Sequence, residues 1–307
     1  MSVLLTAARC ALFLTLKGMG GRDIDMIWSV DMIRSMVKIN KRKITAALLG
    51  AAVIASMIPV RGLAKERSGD GWMSKVEITA HRGDNSQAPE NTMPAFKAAV
   101  ENGADWIELD VTQTKDGVLV IFHDADLMRM TGKADKIWDL SYEELSCINA
   151  ASHWGPFFKD VRIPTLEEVL DYCKDKIKLN IEVKVNGHQT QDFIPVLVGM
   201  IQAKGMAGQC MITSFDYQSL QTVKQLDPGL ETGFISSKAI EQPEAFTSAD
   251  NFVLSIDLIN PETVSYIHAL GKEVIAWTVN DAYSVDKCRR AGADNLITDK
   301  PKKIMED

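Results

Sequence analysis

The chain has 307 residues, 46% hydrophobic and 24% charged, an ordinary globular composition that excludes wholesale disorder, a collagen-like repeat and a polytopic membrane protein. Its formal net charge is −7, but residues 1–64 hold 9 Lys+Arg and 3 Asp+Glu, leaving 25 basic against 38 acidic residues in 65–307, a net of −13. So acidic a body repels phosphate backbones and argues against nucleic acid as a partner; holding an anion would take a metal or a few placed cations.

Lys38, Lys41, Arg42 and Lys43 precede the apolar run 44–57, and Pro59 and Gly62-Leu63-Ala64 close the segment. A basic region, a limited apolar region and a small-x-small site are the order of a secretory signal, cut here after Ala64. The run is shorter than the roughly 20 residues of a spanning helix, which favours cleavage over an uncleaved anchor that would tie the protein to a membrane. No Cys follows Ala64, so a lipoprotein anchor is not indicated. Met32 and Met36 lie just upstream of the basic cluster, and a start at either leaves 1–35 as an untranslated extension. Residues 36–64 are then the expected signal peptide or anchor, and 65–307 an extracytoplasmic domain (secreted, periplasmic or at the cell surface). Its length of about 243 residues is that of a single barrel. Cys147, Cys173, Cys210 and Cys288 have no metal-type spacing and read as free thiols.

The body alternates short β-rich runs with helical patterns. Strands are expected at 76–80, 106–111, 118–122, 178–183, 210–213, 232–235, 252–256, 273–278 and 295–297, and helices at 93–101, 166–174, 193–204, 217–226, 261–270 and 283–291. Thr165 with Glu168, and Asn260-Pro261, are helix starts; Gly103, Gly205, Gly271 and Gly292 are stops. This alternation means a parallel sheet flanked by helices, and length and strand count favour closure into eight strands: an α/β fold of the TIM-type (β/α)8 kind. Only residues 112–117 separate the second and third runs, too few for a crossover, so with Lys115-Asp116-Gly117 as the turn this pair is an antiparallel hairpin. The irregular stretch after the third strand, about 125–165, is an inserted segment placed over the C-terminal mouth.

Barrel active sites collect at C-terminal strand ends, which here carry His81-Arg82-Gly83, Glu108-Leu109-Asp110, His123-Asp124, Glu182-Val183-Lys184 and Trp277-Thr278-Val279-Asn280. Glu108 and Asp110, two apart on a strand, face the lumen together, while Ile107, Leu109 and Val111 face away. Lumen carboxylates are costly unless paired or bound to a cation, and with Glu182 they make a set of three hard oxygen ligands suited to Mg²⁺ or Ca²⁺. If residue numbers across the hairpin sum to about 231, His123 stands opposite Glu108 and shares the mouth with His81. Arg82 and Lys184 add the cations an acidic domain needs to hold phosphate. Each motif alone has an ordinary structural reading; found together at strand ends of one barrel-like chain they point to a site. His188 and His268 read as surface residues, and His153 as loop packing.

The ordered set His81-Arg82-Gly83, Pro89-Glu90-Asn91-Thr92, Glu108-Leu109-Asp110, His123-Asp124, 163–168 (IPTLEE), 181–184 (IEVK) and 277–280 (WTVN) resembles the glycerophosphodiester phosphodiesterase family. The likeness runs from about Ile78 to Pro301. It implies a TIM-type barrel with a small insertion after the HD motif and one divalent cation, Mg²⁺ or Ca²⁺, on Glu108, Asp110 and Glu182. It also implies an acid–base histidine pair at His81 and His123; which is acid and which is base stays open, and we favour His123 as the acid on the leaving group. Arg82 and Lys184 bind phosphate, and Glu90, Asn91, Phe215 and Trp277 complete the substrate-binding candidates. The implied reaction is hydrolysis of a small-molecule glycerophosphodiester to glycerol 3-phosphate and an alcohol. Two rivals are a lysophospholipase D or sphingomyelinase-like activity on membrane lipid, for which Phe157-Phe158 would be a landing surface, and a non-catalytic phosphodiester-binding barrel.

Overall fold

The structure, a computed structural model, describes residues 71–73 and 75–306; the extension, signal and anchor expected within 1–64 lie outside the described residues. Nine strands form one sheet: β1 (Glu77–Ala80), β2 (Trp106–Gln113), β3 (Leu119–Ile121), β4 (Lys178–Val183), β5 (Cys210–Ser214), β6 (Glu231–Ser236), β7 (Asn251–Ser255), β8 (Glu273–Trp277) and β9 (Asn295–Thr298). Eight of them are parallel and close on themselves, because β1 pairs with β9 on one edge and β2 on the other. This is the expected (β/α)8 barrel.

β3 is the ninth strand. Only Trp106 and Ile107 of β2 pair with β1, so the far end of β2 overhangs the rim and takes β3 antiparallel at Val111–Gln113. Paired residue numbers sum to 232 (Val111 with Ile121, Thr112 with Val120), one more than expected, which places Leu109 rather than Glu108 at the level of His123. His123 nonetheless turns into the mouth, because β3 stops at Ile121 and the chain leaves strand geometry after Phe122.

The barrel is wrapped by α1 (Met93–Asn102), α4 (Leu166–Cys173), α5 (Phe193–Lys204), α6 (Tyr217–Leu226), α7 (Pro261–Ala269), α8 (Ala282–Ala291) and α9 (Pro301–Glu306). Two shorter helices, α2 (Met128–Thr131) and α3 (Tyr142–Ser146), lie in the inserted segment. Thr165 forms a capping box with Glu168, the Asn260 side chain accepts from Thr263 N, and Gly103, Gly205 and Gly292 end their helices in left-handed conformation. Leu109, Val111, Leu179 and Ile181 point outward into a cluster with helix residues such as Phe96, Leu170 and Leu197. Trp106, Met211, Ile235, Val253, Ile275 and Ile297 point inward and fill the lumen beneath the mouth. The insert has a small core of its own: Val120 and Phe122 pack with Leu127, Met130, Ile137, Leu145 and Ile163. Among the described residues no helix is long and apolar enough to cross a membrane.

Candidate active site

The turn after β1 sets the geometry. Arg82, Gly83 and Asn91 have φ of 57°, 81° and 56°, so the segment folds back over the strand end before α1 begins. A Cβ on Gly83 would lie 2.7 Å from Ala95 of α1, which accounts for the glycine after His81-Arg82. The backbone N–H of Arg82 donates to Glu108 Oε2 at 2.9 Å, and Asn91 Nδ2 donates to Asp110 Oδ2 at 2.6 Å.

Glu108, Asp110 and Glu182 each offer a carboxylate oxygen within 4.8 Å of the other two, all three residues being buried. Lys184 Nζ lies 2.9 Å from Asp110 Oδ1 and 2.5 Å from Glu182 Oε1, and Arg82 Nε lies 3.4 Å from Asp110 Oδ2. Burial and the neighbouring Asp110 push Glu108 up to about 7 and Glu182 up to about 8. Burial would raise Asp110 too, but Lys184 and Arg82 hold it down at about 2. Asp110 Oδ1 and Arg82 Nε are buried without a well-formed hydrogen bond. Three buried hard-oxygen donors crowded within 4.8 Å of one another fit a Mg²⁺- or Ca²⁺-type cation.

Both histidines hold Nδ1 against a carboxylate. His81 Nδ1 is 2.7 Å from Asp299 Oδ1, and His123 Nδ1 is 2.6 Å from Asp124 Oδ1, so that each ring can present Nε2 to the cavity. Burial pulls His81 down, but the Asp299 hydrogen bond and the Glu108 charge outweigh it and its pKa is raised. For His123 burial, together with Lys184 and Arg82, wins over Asp110 and Asp124, and its pKa is lowered.

Most of these groups line a cavity of about 260 Å³ at the C-terminal mouth, whereas Asp110 is fully buried and is not part of its lining. One wall carries His81, Arg82, Glu108, His123, Glu182 and Lys184; the other carries Phe215, Ile235, Val253 and Trp277. Phe215 meets Trp277 edge to face with centroids 5.9 Å apart, and Trp277 Nε1 donates to Val253 O at 3.1 Å. Glu90 and Asn91 do not line this cavity: Glu90 Oε1 accepts from Arg82 Nη1 at 2.7 Å, and Asn91 holds Asp110. His153 lies 3.3 Å from Met130 O, His268 pairs with Asp294 on the outside, and exposed His188 stacks on Trp138 at 4.1 Å.

Residues 81–303 match the Glycerophosphoryl diester phosphodiesterase family. A glycerophosphodiester phosphodiesterase of Caldanaerobacter subterraneus subsp. tengcongensis is 35% identical over 239 residues, 75% of this chain and 97% of that one. The chain belongs to this family. Another relative of that name, from Bacillus altitudinis, is 32% identical over 238 residues, with the same shares of the two chains. Among solved structures, an Oleispira antarctica phosphodiesterase in complex with the product sn-glycerol-3-phosphate has a TM-score of 0.67 at 28% identity, covering 75% of this chain and 95% of that chain. Four supporting residues were not among the sequence candidates: Asn85, Asp299, Asp124 as the partner of His123, and Arg129. Asn280 lies in the WTVN motif without a role there. Asp299 carries a signal that sequence reading can use, since it sits one residue past β9 at a strand end like the others.

Proposed function

We propose that the protein hydrolyses glycerophosphodiesters to glycerol 3-phosphate and an alcohol. The observation that carries this reading is a single cavity wall that combines two histidines, two cations and a buried carboxylate cluster. A divalent cation of the Mg²⁺ or Ca²⁺ kind, held by Glu108, Asp110 and Glu182, would supply positive charge to the phosphoryl oxygens and the reacting oxygen. Arg82 and Lys184 bind phosphate oxygens and meet the charge that builds on them as the phosphorus is attacked. Of His81 and His123, one takes the proton of the nucleophile as its oxygen bonds to phosphorus; that nucleophile is water, or a glycerol hydroxyl of the substrate whose cyclic phosphate product is then opened by water to glycerol 3-phosphate. The other gives a proton to the alkoxide as the P–O bond breaks. Asp299 and Asp124 fix the two rings and favour their charged forms. The Phe215–Trp277 side takes the apolar edge of the substrate.

The test is glycerol 3-phosphate release from glycerophosphocholine with EDTA, Mg²⁺ or Ca²⁺. Release with at least one of the metals and none in EDTA is expected; no release with either metal, from folded protein, overturns the reading. A glycerophospho-p-nitrophenol substrate, whose leaving group needs no proton, assigns the acid: the variant of the acid histidine regains activity on it and that of the base does not. The basic and apolar pattern of 36–64 supports export, and a purified mature protein beginning at Lys65 is the expected result of N-terminal sequencing.

A further inference from the structure

We propose that Arg129, on the inserted segment, is a positioning residue for both His123 and Arg82; this deepens the phosphodiesterase reading and rests on it. Arg129 lies in α2, anchored by its neighbours Leu127 and Met130 in the insert's own core. Its guanidinium forms two forks at once. Nε and Nη2 donate to Asp124 Oδ2 and Oδ1 at 2.7 and 3.1 Å, and Nη1 and Nη2 donate to Glu90 Oε2 and Oε1 at 2.7 and 2.8 Å. Each carboxylate passes the constraint on: Asp124 Oδ1 to His123 Nδ1 at 2.6 Å, and Glu90 Oε1 to Arg82 Nη1 at 2.7 Å.

The result is one continuous tie, His123–Asp124–Arg129–Glu90–Arg82, that joins a proton-transfer group to a phosphate-binding group. Planar bidentate pairing fixes direction as well as distance, which a flexible ammonium does not. With Arg129 removed, Asp124 and Glu90 lose the charge between them and repel, so Asp124 is free to turn from His123 and Glu90 is left to Arg82 alone. Arg129 is not itself a substrate contact. Its donors are committed to the two carboxylates, with Nη1 also 3.4 Å from Met130 Sδ, and it does not line the cavity. Its side chain is 47% exposed, so the ion pairs add little to fold stability, and the effect of losing it appears in geometry and rate.

The experiment uses the full chain as wild type, R129M, R129K, D124N and R129M/D124N. It reads glycerol 3-phosphate release, thermal unfolding and the ¹⁵N resonances of the His123 ring. R129M is expected to lower kcat by about ten- to hundredfold, the range for loss of an orienting partner. KM should stay within about threefold and unfolding should be nearly unchanged. R129K should restore part of the rate, and adding R129M to D124N should cost less than about threefold further, because the two act through one path. The His123 Nδ1 resonance should shift in R129M as it does in D124N. An unaffected kcat, a rise in KM alone, losses that multiply in the double variant, or an unmoved His123 resonance would overturn the proposal. If the wild type releases nothing, the phosphodiesterase reading falls by itself, and the resonance still decides whether Arg129 orients His123.

Discussion

Asp299→Asn is the sharpest perturbation of the proton-transfer machinery. Asp299 Oδ1 faces His81 Nδ1 at 2.7 Å and accepts from Asn85 Nδ2 at 2.7 Å, while Oδ2 accepts from Asn280 Nδ2 at 2.6 Å. Asn280 has no freedom to turn over, because its Oδ1 already accepts from Asp299 N at 2.9 Å and Thr298 Oγ1 at 3.1 Å. An amide in place of the carboxylate therefore meets a donor with a donor in either orientation. With its oxygen toward His81, its NH2 opposes Asn280; with its NH2 toward His81, the ring must carry its proton on Nε2, which removes the lone pair there. The first arrangement loses a charge-assisted hydrogen bond of about 1.5–3 kcal/mol, or roughly ten- to 150-fold in rate. The second approaches the wrong-tautomer loss of about 10⁴ known for the triad aspartate of serine proteases. A fall in kcat between those bounds is the expectation. The pH profile carries an independent sign. Burial lowers the His81 pKa, and Asp299 and Glu108 reverse that; with the Asp299 charge gone the pKa falls, and whichever limb belongs to His81 moves to lower pH. The assay is kcat and kcat/KM against pH on glycerophosphocholine. A variant with wild-type kcat and both limbs in place refutes the Asp299–His81 role.

Glu182→Gln should raise the half-activating Mg²⁺ or Ca²⁺ concentration by at least the roughly tenfold that loss of a mere supporting partner costs, with activity returning at high metal; a variant activated at wild-type concentrations would remove Glu182 from the ligand set. Gly83→Ala forces an L side chain to φ +81° and puts its Cβ 2.7 Å from Ala95. At about 1–2 kcal/mol for the left-handed backbone and about 1–3 for overpacking, Tm should drop by about 4–20 °C, and a change below about 2 °C would count against the turn geometry. Of the described cysteines, Cys147 is exposed, while burial pushes the Cys173 and Cys288 thiols to about 12 and raises Cys210 as well. Thiol labelling of the native protein at neutral pH should modify Cys147 and spare the other three until unfolding, and labelling of any of the three at the rate of Cys147 would contradict that packing.

What the sequence discloses divides along a physical line. Strand-borne groups are legible, because the two-residue period assigns a face: Glu108 and Asp110 turn into the lumen while Leu109 between them is fully buried against the helices. The hairpin register is legible only to within a residue, since the turn at 115–117 tolerates one residue more or less, and one residue is the difference between sums of 231 and 232. That slip would have carried a continuing strand to the wrong face. It does not, because β3 ends at Ile121 and Phe122 is drawn into the insert's own cluster, leaving His123 to turn inward. Within the insert, α3 carries a capping box at Ser141 and Glu144, a readable signal, yet five residues are too few for a helical period to show. Arg129 has no local signal at all: its partner Glu90 is 39 residues away, across a segment whose path is set by Leu127, Met130 and Ile137 packing on the outer strand. The three carboxylates stand on strands, whose periodicity is written in the chain, while His81, Arg82, His123 and Lys184 stand just past strand ends. Three of the groups that aim them, Asn85, Asp124 and Arg129, stand on turns and an insert, and their positions exist only once the tertiary structure has formed.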